Sequence, residues 1–406
     1  MQRHQSGLHR TLAVTASIAL VLFAASASAQ TKNVIYQFTG GSYSNGDLIF
    51  DAAGNLYGTA QGGGSCGETS GCGIVYELSP GGSLWTQTVL STVSGTNGAY
   101  LEGGVIFDAA GNLYGVTSQG GASNAGVVYE LSPTSGGWTE QVLWSFTGGS
   151  DGGTPVAGIV LDSKGNVYGT TSAGGTSNGG VVYQLTQSSS VWTENVILNF
   201  ADNAATGPSA LAIDGAGNLY GTATNGESHG YDYGTVYELS AASGWTVTPI
   251  FSFYGTYERG THPVNGVTID ASGNLYGMTQ GVVLTCCAGV VYGLHSPSWT
   301  ETVLERFQYG IFGGVRNFPS GPVTVDALGN VYGAIGNDDQ GAVRTYDGFV
   351  YRIGPSGNSQ YTFPTLLPAN RNYPVGGLAI DSLGNAYGVT FPSSSNGAAV
   401  VFEITF

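Results

Sequence analysis

The chain has 406 residues, of which 9% are charged, 11% are aromatic and 68 are glycine, and its formal net charge is −16. Glycine at this level, with abundant tyrosine, valine and threonine, makes short strands and tight turns, and no stretch carries a 3.6-residue apolar period, so an all-β chain is expected and helical architectures are excluded. The acidity excludes nucleic acid and anionic membrane surfaces as partners, because both would repel it.

Residues 1–29 read as a secretory signal peptide. Arg3 and Arg10 make a basic start, Thr11 to Ala25 is an apolar run short for a spanning helix, and Ala27-Ser28-Ala29 is a small-residue cleavage site ahead of Gln30. Cleavage after Ala29 removes two of the ten basic residues and no acidic one, which leaves −18 on the mature chain. A secreted or periplasmic location is expected, with no integral membrane segment after cleavage.

From there the chain repeats itself. DAAGNLYG spans 51–58 and returns unchanged at 108–115, and looser copies span 162–169, 214–221, 270–277, 326–333 and 381–388. Seven copies at steps of 52 to 57 residues are the mark of a tandem array. The third copy shows the plan: Pro155–Asp162 runs into the turn, Asn166–Ser172 and Val181–Gln187 alternate after it, and Trp192–Phe200 is a fourth strand. Four short strands per unit, joined by Gly, Ser and Asn turns, is the sequence form of a propeller blade. The octapeptide is then a hairpin turn. Its Asp accepts turn amides, its first Gly supplies a positive φ, and its last Gly admits a neighbouring backbone. Trp85, Trp138, Trp192, Trp245 and Trp299 open the fourth strands and read as packing between blades.

The ends predict closure. The seventh unit stops after three strands, while Thr31–Gly40 (TKNVIYQFTG) matches the fourth strand TENVILNFAD from Thr193. The expected fold over 30–406 is a closed seven-bladed β-propeller of four-stranded blades, its last blade completed by the N-terminal strand, with no exposed sheet edge.

The paired motifs D-x-x-G-N-[LV]-Y-G and G-x-V-Y-E-L resemble the Gloeobacter/Verrucomicrobia ("GloVer") tandem repeat across the mature chain. The turn more loosely resembles that of NHL-type and streptogramin-lyase-like propellers. The resemblance implies an exported protein with no established activity.

Chemistry is expected in the loops that vary between units. His229 and Glu227 in blade four, with Glu258 and His262 on the way into blade five, form the one catalytic candidate group, of a composition suited to acid–base or metal chemistry. Arg259, Arg316 and Arg371 lie in equivalent connections with Tyr373, and are suited to a glycan or anionic ligand. Asp338 and Asp339 are oxygen donors of the kind Ca²⁺ prefers, in a spacing that matches no known loop; no other cofactor is suggested. Cys66 and Cys72 are expected to form a disulfide across one loop, and the adjacent Cys286 and Cys287 leave several states open. The expected function is a binding or interaction module for a protein or carbohydrate. The alternative is a lyase- or hydrolase-type enzyme working at the loop histidines.

Overall fold

The computed structural model describes residues 30–39, 43–44, 46–61, 72–82, 84–200, 208–224, 227–228, 231–254, 260–280, 287–308, 317–337, 348–362, 372–392 and 398–406. Each of the seven repeat turns is organised by one carboxylate. In the third copy, Asp162 Oδ1 accepts the backbone N–H groups of Lys164 and Asn166 at 2.9 Å each. Asp162 Oδ2 accepts the Asn166 amide at 2.7 Å and the Tyr168 hydroxyl at 3.1 Å. Gly165 turns the corner at φ +80°, a conformation that a side chain resists. The same four contacts recur at Asp51, Asp108, Asp214, Asp270, Asp326 and Asp381. The recurrence of Asp, Asn and Tyr follows, since each supplies a bond that the turn needs. Burial works to raise the carboxyls of Asp51, Asp108, Asp162, Asp270 and Asp326, but the hydrogen bonds outweigh it and hold them below the usual carboxylate range.

In chain order, β1 is Thr31–Gln37. Blade one has an inner strand in two pieces, β2 (Tyr43–Ser44) and β3 (Ile49–Phe50), then β4 (Leu56–Gln61), β5 (Gly73–Ser79) and β6 (Thr86–Val93). Blade two is β7 (Ala99–Phe107), β8 (Leu113–Gln119), β9 (Val127–Thr134) and β10 (Gly137–Ser145). Blade three is β11 (Gly153–Leu161), β12 (Val167–Ala173), β13 (Val181–Ser188) and β14 (Val191–Asn199). Blade four is β15 (Ala212–Ile213), β16 (Leu219–Ala223), a small hairpin β17 (Glu227–Ser228) and β18 (Tyr231–Asp232), then β19 (Thr235–Ser240) and β20 (Thr246–Ser252). Blade five is β21 (Thr261–Ile269), β22 (Leu275–Gln280), β23 (Cys287–His295) and β24 (Thr300–Gln308). Blade six is β25 (Asn317–Pro319) with β26 (Thr324–Val325), β27 (Val331–Asn337), β28 (Phe349–Ile353) and β29 (Ser359–Thr362). The chain ends with β30 (Asn372–Ile380), β31 (Ala386–Pro392) and β32 (Val400–Thr405). The last sheet has the order β1-β32-β31-β30, so the N-terminal strand completes blade seven as expected. Its register runs from Thr31 opposite Thr405 to Gln37 opposite Val400.

The last glycine of each repeat requires a correction. It admits an aromatic ring rather than a neighbouring backbone. Gly169 lies opposite Tyr183 in the ladder, and a Cβ on Gly169 would stand 2.3 Å from the Tyr183 hydroxyl oxygen. The same pairing joins Gly58 to Tyr76, Gly115 to Tyr129, Gly221 to Tyr237, Gly277 to Tyr292 and Gly333 to Tyr351, and in blade seven Gly388 to Phe402. The conserved-looking G-x-V-Y and N-x-Y-G strings within this one chain are therefore two halves of a single packing unit. The tryptophans pack between blades as expected: Trp245 meets Tyr168 of blade three at 5.5 Å, and Trp85 meets Tyr387 of blade seven at 6.1 Å.

The outermost strands meet through polar pairs. Tyr36 donates to Gln87 at 3.0 Å between blades seven and one, and Ser91 donates to Glu140 between blades one and two. Glu194 stands at the equivalent place in blade three, with one buried carboxylate oxygen that has no protein partner among the described residues. Burial first, then the nearby charge of Asp151, pushes Glu194 up to about 7. A carboxyl raised on folding is stabilising when protonated. Its penalty is absent below the unfolded value of about 4.3 and fully present above about pH 7. Glu194→Gln is expected to raise the thermal midpoint at pH 8 and leave it unchanged at pH 4. The gain at pH 8 is on the order of 1 kcal/mol after screening of a half-exposed group. Equal shifts at both pH values would remove this account.

Candidate binding site on the propeller axis

The innermost strands fix where a ligand reaches the axis. In five of the seven blades one residue precedes a proline or leucine of equivalent register: Tyr100 before Leu101, Thr154 before Pro155, His262 before Pro263, Phe318 before Pro319 and Tyr373 before Pro374. Tyr43 holds the same place in blade one, opposite Gln61. In blade five this residue is an extra one in the ladder, whereas in blades two and three the register runs through it unbroken. Tyr100, Thr154 and His262 sit there at φ +57°, +54° and +56°. The bulge at His262 redirects the chain there. Equivalence of register puts four aromatic residues at one height around the mouth of the ring, with His262 bulged beside that position.

His262 is thus one member of a repeated feature. Its N–H donates to Tyr233 O at 2.8 Å, as that of Thr154 does to Ala125 O, and its ring meets Tyr233 edge-on at 6.4 Å. Tyr233 directly follows β18, so the structure brings the blade-four hairpin beside the start of blade five. Glu227 is paired with Asp232 within that hairpin. His229, Glu258, Arg259, Arg316 and Arg371 lie outside the described residues. Tyr373 stacks on Phe391 at 5.7 Å. Cys72 is half-buried ahead of β5, while Cys66, Cys286, Asp338 and Asp339 fall outside the described residues. Among the described residues no group of three or more His, Cys, Asp or Glu is placed to hold a metal ion, and no helix is long and apolar enough to cross a membrane.

Behind the mouth lies a cavity of about 360 Å³ to which all seven blades contribute. Two carboxyls line it, Asp47 of blade one and Glu102 of blade two. Burial raises both above the usual carboxylate range. The opposing effect is a hydrogen bond from the Gly377 N–H for Asp47 and from Ser118 for Glu102. Asp47 therefore also ties blade one to blade seven at the axis. A second cavity, of about 600 Å³, shares Asp47 and Pro322 with the first and extends toward the face of the repeat turns.

Neither Asp47 nor Glu102 was singled out by motif. The signal that finds them is the comparison of the repeats with each other. Where Asp47 stands, the other inner strands carry Gly104, Gly158, Gly266, Pro322 and Gly377. Where Glu102 stands, they carry Val156, Ser209, Val264, Ser320 and Val375. Charge at these two places is a departure from what the scaffold uses.

Seven four-stranded blades built on Asp-centred turns and closed by both termini define a seven-bladed β-propeller. Within that class the chain belongs to the Gloeobacter/Verrucomicrobia repeat family, which matches residues 19–178 and 157–402. No curated protein matches the sequence. It is similar to a solved gluconolactonase of Xanthomonas campestris at 12% identity, over 70% of this chain and 82% of that one, with a TM-score of 0.39. It is similar to TolB of Acinetobacter baumannii at 13% identity, over 78% and 65%, with a TM-score of 0.45. A protein of Lactobacillus plantarum is also similar, at 13% identity over 78% and 83%, with a TM-score of 0.47. Likeness at this level brings no activity, substrate or partner to this chain. Nothing in these comparisons singles out NHL-type or streptogramin-lyase-like propellers.

Proposed function

We propose that the protein is exported and works as a binding module that holds a carbohydrate at the mouth of the propeller. One observation carries this reading: Tyr43, Tyr100, Phe318 and Tyr373 share one register position around the axis, and His262 is bulged out beside it. Aromatic residues repeated at one backbone position suit stacking on the apolar faces of sugars. Arg259, Arg316 and Arg371 stand two or three residues ahead of three of these positions and add forked donors for hydroxyl or acidic groups. The reading of 1–29 as a leader and of Cys66–Cys72 as a bridge is consistent with work outside the cytoplasm. The lyase or hydrolase alternative draws less support, because the backbone conformation of His262 is shared with Tyr100 and Thr154, which carry no imidazole.

The test uses chain recovered from an exporting host. It is expected to begin at Gln30, with the Cys66–Cys72 bridge seen by mass spectrometry, and to bind glycans on an array. Tyr373→Ala and Arg371→Ala are each expected to weaken that binding about tenfold, in line with the loss of a central contact. A blank array, or signals that neither substitution changes, would count against a carbohydrate at the mouth.

A further inference from the structure

We infer that the axial cavity is a specific subsite for one neutral sugar unit of hexose size, the end of the chain held at the mouth. This rests on the carbohydrate reading of the mouth and names the part of the ligand that goes deepest. Its volume of about 360 Å³ lies near the lower end of small-molecule pockets. Its opening is on the mouth side, since Pro208 and Thr224, at the outer ends of their strands in blade four, form part of its wall.

The polar groups that line it are departures from the repeat, and they come from different blades. Asp47 replaces glycine or proline, and Glu102 and Ser320 stand where three sister blades have valine and blade four has Ser209. Asn265 stands where they have Gly46, Gly103, Ala157, Ala210, Gly321 and Gly376. Four separate blades of a scaffold that mostly uses small or apolar residues at these places would have no packing reason to turn polar toward one cavity. The Asn265 amide nitrogen donates to Gly321 O at 3.1 Å and to Pro319 O at 3.4 Å, so its oxygen is the remaining polar atom. Ser320 Oγ is buried with no protein partner among the described residues. A buried hydroxyl with no partner is costly, and a ligand hydroxyl would satisfy it.

The chemistry of this set selects hydroxyl groups. Among the described residues no lysine or arginine lines the cavity, so an anion finds no counter-charge there. Burial favours the neutral form of both carboxyls, and a neutral carboxyl both donates and accepts, as a sugar hydroxyl does. A cation would require both to ionise where burial resists it.

The experiment is ligand-observed NMR of the exported chain with D-glucose, D-galactose, D-mannose and N-acetyl-D-glucosamine, alongside Glu102→Val and Glu102→Gln. Valine is the residue that three sister blades carry at this place, so the fold is expected to tolerate it, and a thermal melt checks this. At least one free sugar is expected to bind. Glu102→Val is expected to lower that affinity about tenfold or more, and Glu102→Gln to stay within about threefold, because the amide keeps a donor and an acceptor. Three results would overturn the proposal: no free sugar binds, Glu102→Val binds as the parent does, or Glu102→Gln fails as Val does while affinity climbs with pH, the behaviour of a cation site. Array binding that is lost in Tyr373→Ala but unchanged in Glu102→Val would keep the mouth reading and remove the cavity. Free-sugar binding lost in Glu102→Val with a blank array would keep the cavity and remove the mouth.

Discussion

A chain that lacks residues 30–38 is expected to lose its cooperative unfolding transition. Those residues contribute β1 and the residue after it, and Ile35 and Phe38 are 4% and 3% exposed in the core shared by blades seven and one. Burying two such side chains stabilises the fold by about 5 kcal/mol, a large share of the whole stability of a typical domain. The deletion also exposes β32 along the edge where β1 pairs with it, and Val400, Val401, Phe402 and Ile404 are fully buried in the intact ring. A long apolar edge of this kind recruits other chains, so aggregation is the expected companion of the loss. Near-UV circular dichroism and light scattering on heating measure both. A circular permutant separates the role of the strand from that of the terminus. Thr31 N–H donates to Thr405 Oγ1 at 3.0 Å, so the two ends are neighbours and a linker of about four residues joins them. New ends in the exposed turn between β9 and β10 should leave a permutant that melts as the parent does. A deleted chain that melts cooperatively at the parental midpoint would show that closure does not hold the ring together.

Gly169→Ala is expected to cost about 3 kcal/mol, well above what a single methyl group costs at a turn glycine. The new Cβ would lie 2.3 Å from the Tyr183 hydroxyl oxygen, 2.6 Å from its ring carbon and 3.0 Å from Ile159, and the ring is fully buried with nowhere to move. Gly165→Ala in the same repeat is the control. Gly165 sits at φ +80° in open space, so only the backbone conformation is penalised, by roughly 1 kcal/mol. Tyr183→Phe, by contrast, is expected to be neutral or slightly stabilising. The hydroxyl has no protein partner among the described residues, and blade seven already carries Phe402 at this place. Gly169→Ala combined with Tyr183→Val should cost less than the sum of the two single changes, because the second removes what the first collides with. Urea denaturation of the five variants measures this. Equal costs at Gly169 and Gly165 would sink the ring-over-glycine account.

Much of the scaffold was readable because a hairpin is local. Asp162, Gly165, Asn166 and Tyr168 meet within seven residues, so a turn that must be built seven times writes the same letters seven times. Closure was readable for a related reason. Strand four of blade three, TENVILNFAD, matches TKNVIYQFTG closely, which made Thr31–Gly40 recognisable as a displaced member of the set. The glycine that ends the octapeptide was misread, because its partner ring comes from the next strand, fourteen residues on in blade three, and pattern alone does not say which groups meet across a ladder.

The amino-acid order by itself determined the all-β class, the count of seven units, their turns and the strand that shuts the ring, since these rest on short-range periodicity and hydrogen bonds between near neighbours. Only the tertiary structure decided that Asp47, Glu102, Asn265 and Ser320 converge on one axial cavity. These residues are as much as 273 positions apart in the chain. What brings them together is the rotation of successive blades about a common axis, and no local pattern encodes that.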